Sequence, residues 1–331
     1  MREMEVEVIS SRSECKLINL AIPLSQLDSL RLTAYLFLRL FKSEFSEKMK
    51  EVIKRIEENR TYLMVSSPFF LVRENGIENT HQYYLPVNFG FFSYYEENFK
   101  DESGEFPTKE IKKIRYFPVL DKKSYNPSFV KTLISKGLEF EIGPLFRVKN
   151  LINRNTYESE NVYTIENYFV FPFRFIVETN DVELEDMMKK VLFNQNESVH
   201  FLGKRISIGF GKVKFRHDYR FKSELEKRGI RIERRVEKGV PYYLFNRIPI
   251  TEKMSNLIDT EKSSYELVKI SGYFVEDEAL IGRNMICLKE GSILVFKDSV
   301  ELENEIYKIK RSEHKKEYFL PYTPFLIKME V

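Results

Sequence analysis

Gly203-Lys204-Arg205-Ile206-Ser207-Ile208-Gly209-Phe210-Gly211-Lys212-Val213-Lys214-Phe215 is the stretch around which the rest of this sequence is read. Three glycines within nine residues allow positive φ and let another polymer approach the backbone, because no Cβ stands in the way. Lys204, Arg205, Lys212 and Lys214 surround them, and Val213 and Phe215 alternate with lysine as in a strand. A cationic loop with open amides running into a strand suits a polyanion passing over it. The competing reading is a plain tight turn between two strands. A nucleoside triphosphate loop is excluded, since Ile206 stands where the Walker pattern needs Gly and Val213 where it needs Ser or Thr. A dinucleotide fingerprint is excluded too: Gly209-Phe210-Gly211 has no third glycine three residues on and opens a strand.

A chain of 331 residues is long enough for two domains, at roughly 150 residues each. The 43% hydrophobic content, with 28 Phe and 19 Tyr, supplies packed cores and rules out a disordered chain. Rings left on a sheet face can also stack on unpaired bases. The net charge of +3 says little, but residues 201–235 hold twelve Lys or Arg against four acids. Such a run is either a solvated face or, beside the glycine loop, part of a nucleic-acid surface. Cys15 and Cys287 have no CxxC spacing, which excludes a sulfur-ligated zinc site and a disulfide framework. No apolar run has the length of a signal peptide core or a membrane span, so a cytoplasmic protein without a membrane partner is expected.

Met4 to Ile9 alternates as a strand, and 17–22 is a second short one. Ser25 and Asp28 are N-cap candidates for an apolar helix running to Phe41, and Ser46 opens another over 47–59. Strands are expected at 62–65 and 83–86 around the turn signal Asn75-Gly76. Residues 88–126 show no clean period, and 129–135 read as a short helix closed by Lys136-Gly137. Strands at 146–149 and 162–165, joined by a polar tip over 153–161, make a protruding hairpin. A strand over 169–177 and an amphipathic helix over 183–193 lead into the glycine loop. Beyond it come a charged insertion at 223–238, a short helix at 265–270, and strands at 242–250, 285–288, 292–296 and 325–329. The expectation is an α+β chain of two ferredoxin-like domains: the first over 1–137, the hairpin over 138–168, the second over 169–331 with the glycine loop.

The histidines His81, His200, His217 and His314 show neither metal-ligand spacing nor a neighbouring nucleophile turn. No catalytic residue, metal or cofactor is expected. His217 is a candidate general base for metal-free RNA cleavage, with an exposed loop histidine as the alternative. His200, just before the loop, either packs or contacts RNA.

Four elements occur in a familiar order: Ser25-Gln26-Leu27-Asp28-Ser29-Leu30; Val65-Ser66-Ser67-Pro68-Phe69-Phe70 followed by Tyr83-Tyr84-Leu85-Pro86; 148–156, containing Asn153-Arg154-Asn155-Thr156, with Tyr163 downstream; and the glycine loop followed by Glu290-Gly291-Ser292. In these the chain resembles the RAMP superfamily of CRISPR effector proteins, and within it the Cas-five group that includes the fourth Csm subunit of type III-A complexes. The resemblance implies paired ferredoxin-like (RRM-like) domains and a non-catalytic subunit that grips the 5′ repeat-derived handle of the guide RNA. It places such a subunit between the Cas-ten large subunit and the first backbone RAMP subunit, with the hairpin as a thumb against the guide–target duplex. On that basis Gly203, Lys204, Arg205, Ser207, Gly209, Phe210, Gly211 and Lys212 would meet RNA in the loop, Arg147, Lys149 and Arg154 on the thumb, and Ser25 at the first helix. Phe210 or Tyr163 would stack on a splayed base. A RAMP endoribonuclease that processes repeat RNA is the alternative, and a single-stranded RNA-binding protein acting alone is a third reading.

Overall fold

A computed structural model describes residues 2–11, 16–73, 81–98, 114–118, 140–152, 159–193, 199–205, 210–218, 225, 231–276, 279–310 and 317–329. The chain is mixed α+β, mostly antiparallel strands with few helices. The helices among the described residues are α1 (Ser29–Phe41), α2 (Ser46–Glu57), α3 (Phe89–Asn98), α4 (Val182–Leu192) and α5 (Glu252–Leu257).

At the centre lies a five-stranded antiparallel sheet in the order Val199–Phe201, Lys212–Asp218, Arg2–Ser10, Phe173–Thr179, Leu63–Val65. Alternation along Met4-Glu5-Val6-Glu7-Val8 sends Met4, Val6 and Val8 to one face, where they are buried with Phe173, Phe175, Val177, Val213 and Phe215. That face is covered by the apolar stripes of α1 (Leu32, Leu36, Leu40), α2 (Met49, Val52, Ile56) and α4 (Leu184, Met187, Met188). Met64 and Ile176, whose side chains point the other way, enter a second core with Phe69, Tyr83, Phe245, Ile293 and Phe325. A carboxy-terminal sheet, ordered Ile232–Glu233, Leu326–Lys328, Pro241–Leu244, Ile293–Val295, encloses a third core around Tyr242, Leu244, Leu294 and Phe296.

Between Leu63–Val65 and Phe173–Thr179, which are neighbours in the central sheet, the chain leaves for more than a hundred residues and returns. Residues on both sides of the boundary expected at 137 therefore share one sheet. Within this excursion stands the long hairpin, Glu141–Ile152 paired with Ser159–Val170, its base joined to Ile18–Leu20. Its strands run further than the sequence pattern suggested, because the polar positions Asn150, Asn161 and Glu166 still pair in register. Of the tip expected over 153–161, residues 159–161 belong to the second strand, while 153–158 and the expected helix over 129–135 lie outside the described residues.

Three local expectations are corrected. Residues 265–270 are not helical: Leu267–Glu276 is a strand paired with Ala279–Leu288. Exposed Lys269 between the half-buried Val268 and Ile270 is a two-residue period, and the β-branched side chains favour it. Residues 89–98, read as irregular, form α3, whose first turn is capped by the Asn88 side chain accepting from the Phe91 N–H at 3.2 Å. Ser25 is not the cap of α1. It sits in a 3₁₀ turn, and Asp28 caps the helix by accepting from the Arg31 N–H at 3.0 Å.

Asp28 also ties α1 to the carboxy-terminal part of the chain. Arg247, with its side chain 6% exposed, donates from Nη1 to Asp28 at 2.8 Å. From Nε and Nη2 it donates to both Glu290 oxygens, at 2.8 and 2.6 Å. Ser29 Oγ accepts from the Arg247 N–H at 2.8 Å and donates to its carbonyl at 3.0 Å. Next to Glu290, Gly291 has φ +87, and a Cβ there would stand 2.6 Å from the Val87 backbone. The Asn88 amide spans this turn, donating to the Glu290 carbonyl and Ser292 Oγ at 2.9 Å each. Removing the guanidinium leaves two buried carboxylates without their partner. Arg247→Ala is expected to lose about 3–5 kcal/mol of stability. Urea denaturation measures this, and a wild-type midpoint would show that the three charges are not coupled.

Candidate nucleic-acid interface

The glycine stretch is the connection of a hairpin. Val199–Phe201 pairs with Lys212–Asp218 so that Phe201 faces Lys212. The base of the loop is locked by the Leu202 N–H donating to the Gly211 carbonyl at 2.9 Å and the Gly211 N–H donating to the Asn19 carbonyl at 2.9 Å. Gly211 has φ +70, and a Cβ built there would overlap the Leu202 carbonyl oxygen at 1.8 Å, so this position admits glycine alone. Gly203 rests against Ile22. The loop is thereby fastened to the segment between the first strand and α1.

From this fixed base Lys204 and Arg205 project into solvent, Arg205 with its backbone in the left-handed region at φ 58. Lys212 is exposed beside them, and no carboxylate among the described residues lies within ion-pair range of Lys204, Arg205, Lys212 or Lys214. Phe210 is 5% exposed, so its ring is buried and not presented for stacking on a base. Ser207 and Gly209 lie outside the described residues.

Beneath the hairpin, His200 is completely buried and stacks on Phe215 with ring centroids 3.9 Å apart. Nε2 lies 3.0 Å from the Leu192 carbonyl and Nδ1 2.7 Å from the Tyr35 hydroxyl. These contacts suit the neutral tautomer that donates from Nε2 and accepts at Nδ1. Burial drives its pKa down from 6.5 to about 4. Of the two roles considered for His200, packing is the one observed.

Ser25 is exposed, and its carbonyl accepts from Arg247 Nη2 at 3.4 Å. Next to it, the Leu24 N–H donates to the Glu141 carboxylate at the foot of the long hairpin. Residues 18–25 thus form a seam between the glycine hairpin, the long hairpin and the Arg247 cluster. On the long hairpin Arg147 is exposed and lies 5.9 Å over the Phe169 ring. Lys149 is in the strand opposite Tyr163, which is 41% exposed, and Arg154 lies outside the described residues. Phe146, Val148 and Val162 are 64–70% exposed on the opposite face of this ribbon.

The motif elements that carried the family resemblance come together, but mostly inside the protein. Ser29, Ser66, Ser67, Tyr83, Glu290 and Ser292 are all buried, and with buried Asn88, which lies outside the motifs, they join the central sheet to the carboxy-terminal part. Ser67 donates its N–H to the Phe245 carbonyl at 3.0 Å, and Tyr243 hydrogen-bonds the Pro86 carbonyl. Arg247, the residue that organises this junction, was missed from sequence; its only signal is the polar pair Asn246-Arg247 set between the apolar stretches Tyr242–Phe245 and Ile248–Ile250. Among the described residues no group of three His, Cys, Asp or Glu is placed to hold a metal, and no helix is long and apolar enough to cross a membrane.

No protein-family model and no curated protein matches the sequence. Solved structures do match. The Csm4 chain of the Csm3–Csm4 subcomplex from a type III-A CRISPR-Cas interference complex aligns over 99% of this chain and 100% of its own, at 15% identity and a TM-score of 0.50. A chain of a Csm1–Csm4 cassette in complex with pppApA aligns over 100% and 99%, at 13% identity and a TM-score of 0.47. A chain of the type III-B Cmr-beta complex bound to cognate target RNA and AMPPnP aligns over 89% and 86%, at 15% identity and 0.43. The likeness to Csm4 is one of fold and extends over the full length.

Two outcomes follow for the hairpin. Gly211→Ala is expected to lower the melting temperature by several degrees, whereas Gly239→Ala, at φ +75 with nothing within 4 Å, carries only the left-handed cost of about 1–2 kcal/mol. Equal effects in a thermal melt would refute the locked base. As for His200, the unfolded chain takes up a proton below pH 6.5 that the folded chain refuses until about pH 4. Stability should fall by up to about 3 kcal/mol between those limits and level off below them. His200→Gln should flatten that part of a pH series of denaturation curves.

Proposed function

We propose that this chain is a non-catalytic RNA-binding subunit of a type III CRISPR ribonucleoprotein effector, holding the 5′ repeat-derived handle of the guide RNA. The observation that carries this reading is the glycine hairpin: its base is fixed by two backbone hydrogen bonds while Lys204, Arg205 and Lys212 extend into solvent. A fixed base carrying exposed cations suits phosphate binding, since the base needs little ordering when RNA arrives. The full-length likeness to Csm4 gives the fold context for that surface. Leaving aside the short edge strand Val199–Phe201, the four remaining strands of the central sheet, numbered along the chain, stand in the order 4-1-3-2, with helices after the first and third. We read this as a ferredoxin-like unit, the split βαβ arrangement. A second such unit is assigned to the carboxy-terminal sheet.

In this reading the subunit bridges the Cas-ten large subunit and the first backbone RAMP subunit in antiviral defence, and the long hairpin acts as the thumb. No catalytic role is assigned to His200, whose ring nitrogens both face buried partners. The test is a gel-shift titration of purified protein with labelled CRISPR guide RNA, beside the double change Lys204→Ala with Arg205→Ala. Handle-dependent binding should weaken at least tenfold in the mutant. The slope of log K against log salt should become shallower by about 1.4, or about 0.7 for each single-strand phosphate that is no longer neutralised. Intact RNA is expected throughout; metal-independent cutting at the repeat would replace this reading with the endoribonuclease one. Binding indifferent to handle and mutation would leave the loop as only a turn.

A further inference from the structure

The outer face of the central sheet is divided. On the Phe173–Thr179 and Leu63–Val65 side it is covered by the second core, which takes in Ile176 and Met64. On the side of Lys212–Asp218 and the edge strand Val199–Phe201 it is open: Lys212, Lys214 and Arg216 are exposed, while Val213 and Phe215 point inward. Phe201 lies directly opposite Lys212 in the register, and its 38% exposure contrasts with buried His200 beside it. In the next row Val199 and Ile9 flank Lys214, both half-buried.

Alternate residues of an antiparallel strand stand about 7 Å apart, close to the phosphate-to-phosphate step of an extended single strand. The three cations are therefore spaced to meet successive phosphates, one nucleotide for each two residues of sheet. Arg216 is 64% exposed and contacts Glu7 at 3.5 Å, but Glu7 is already held by buried Arg174 at 2.6 Å. Most of the five guanidinium N–H donors of Arg216 thus remain for a ligand. The apolar strip of Phe201, Val199 and Ile9 runs beside the cations, as required by a polymer with a charged backbone and flat bases. The strip begins where the glycine loop ends, so one strand can pass from the loop onto the sheet.

We propose that this open half-face is a track for single-stranded RNA continuing from the glycine loop, with Phe201 as a base-stacking platform and Lys214 and Arg216 as phosphate contacts. The inference rests on the guide-RNA reading above and extends it to residues outside the loop.

The test is fluorescence anisotropy of the full chain with fluorescein-labelled CRISPR guide RNA at two salt concentrations. Four variants are compared: Phe201→Ala, Phe201→Tyr, Lys214→Ala with Arg216→Ala, and Lys204→Ala with Arg205→Ala. Phe201→Ala should weaken binding roughly tenfold with the salt slope unchanged, and Phe201→Tyr should restore it. Lys214→Ala with Arg216→Ala should weaken binding and make the slope shallower. If only the loop variant loses binding, the track is refuted and the guide-RNA reading stands. If all four bind as wild type, both fall. Crosslinking of wild-type protein to 4-thiouridine-substituted guide RNA gives a readout independent of mutant folding: adducts at 199–201 or 212–216 support the track, and adducts confined to the loop at 203–211 or to 141–170 overturn it.

Discussion

The Arg247 guanidinium, bonded on one edge to Asp28 and on the other to Glu290 inside the protein, is the contact on which the arrangement of the chain depends. Burying three charges is costly, and a well-packed apolar trio of the same volume could stabilise the junction as much. Direction is what the charged version adds. A guanidinium donates in a rigid plane, so the start of α1 and the turn at Glu290 are fixed in angle as well as distance. Because Asp28 also caps α1, helix entry and long-range contact are set by one side chain. Cys287 lies in the same apolar region, where burial pushes its thiol up to about 12 and leaves it a packing residue.

From that junction the two faces of the central sheet acquire different duties. One face is closed by three helices and serves stability, with His200 and Phe215 forming part of its floor. The other is closed over only part of its width. The glycine hairpin is fastened at its base to the sheet by Leu202 and to the seam at Asn19. Recognition elements on such a base lose little conformational freedom on binding, which favours affinity from a small number of charges.

How much of this was legible beforehand varies with the kind of signal. Regular patterns translated directly: Met4 to Ile9 as a strand, Leu30 to Phe41 as a helix, and the paired strands at 146–149 and 162–165 all declared themselves by period. α3 did not, because a glycine and a run of aromatic residues conceal a helix whose evidence is the Asn88 cap. The strand at Leu267 was obscured because a short apolar run fits a helical turn as well as a strand, and pairing with Ala279–Leu288 decided it. For the site, the charges around the glycines were plain, whereas the fate of Phe210 was not, since glycine flexibility does not reveal which way a ring turns. The family-like motifs were visible as strings. That most of them are buried contacts between distant segments is a property of the third dimension.

The route of the chain through the central sheet has a consequence for how the protein is made. Arg2–Ser10 is the middle strand, yet both of its partners, Phe173–Thr179 and Lys212–Asp218, lie far along the chain. During synthesis Arg2–Ser10 leaves the ribosome with two bare edges, one of which waits for Phe173–Thr179 to emerge and the other for Lys212–Asp218. α1 and α2 can form locally in that interval, but the sheet they cover cannot. Closure requires bringing together segments separated by about two hundred residues, a slow step that exposes strand edges to wrong partners. The nascent chain is therefore most prone to aggregation before Lys212–Asp218 has emerged, and an early neighbour that shields the open edge would raise the yield of folded protein more than it would raise the stability of the finished one.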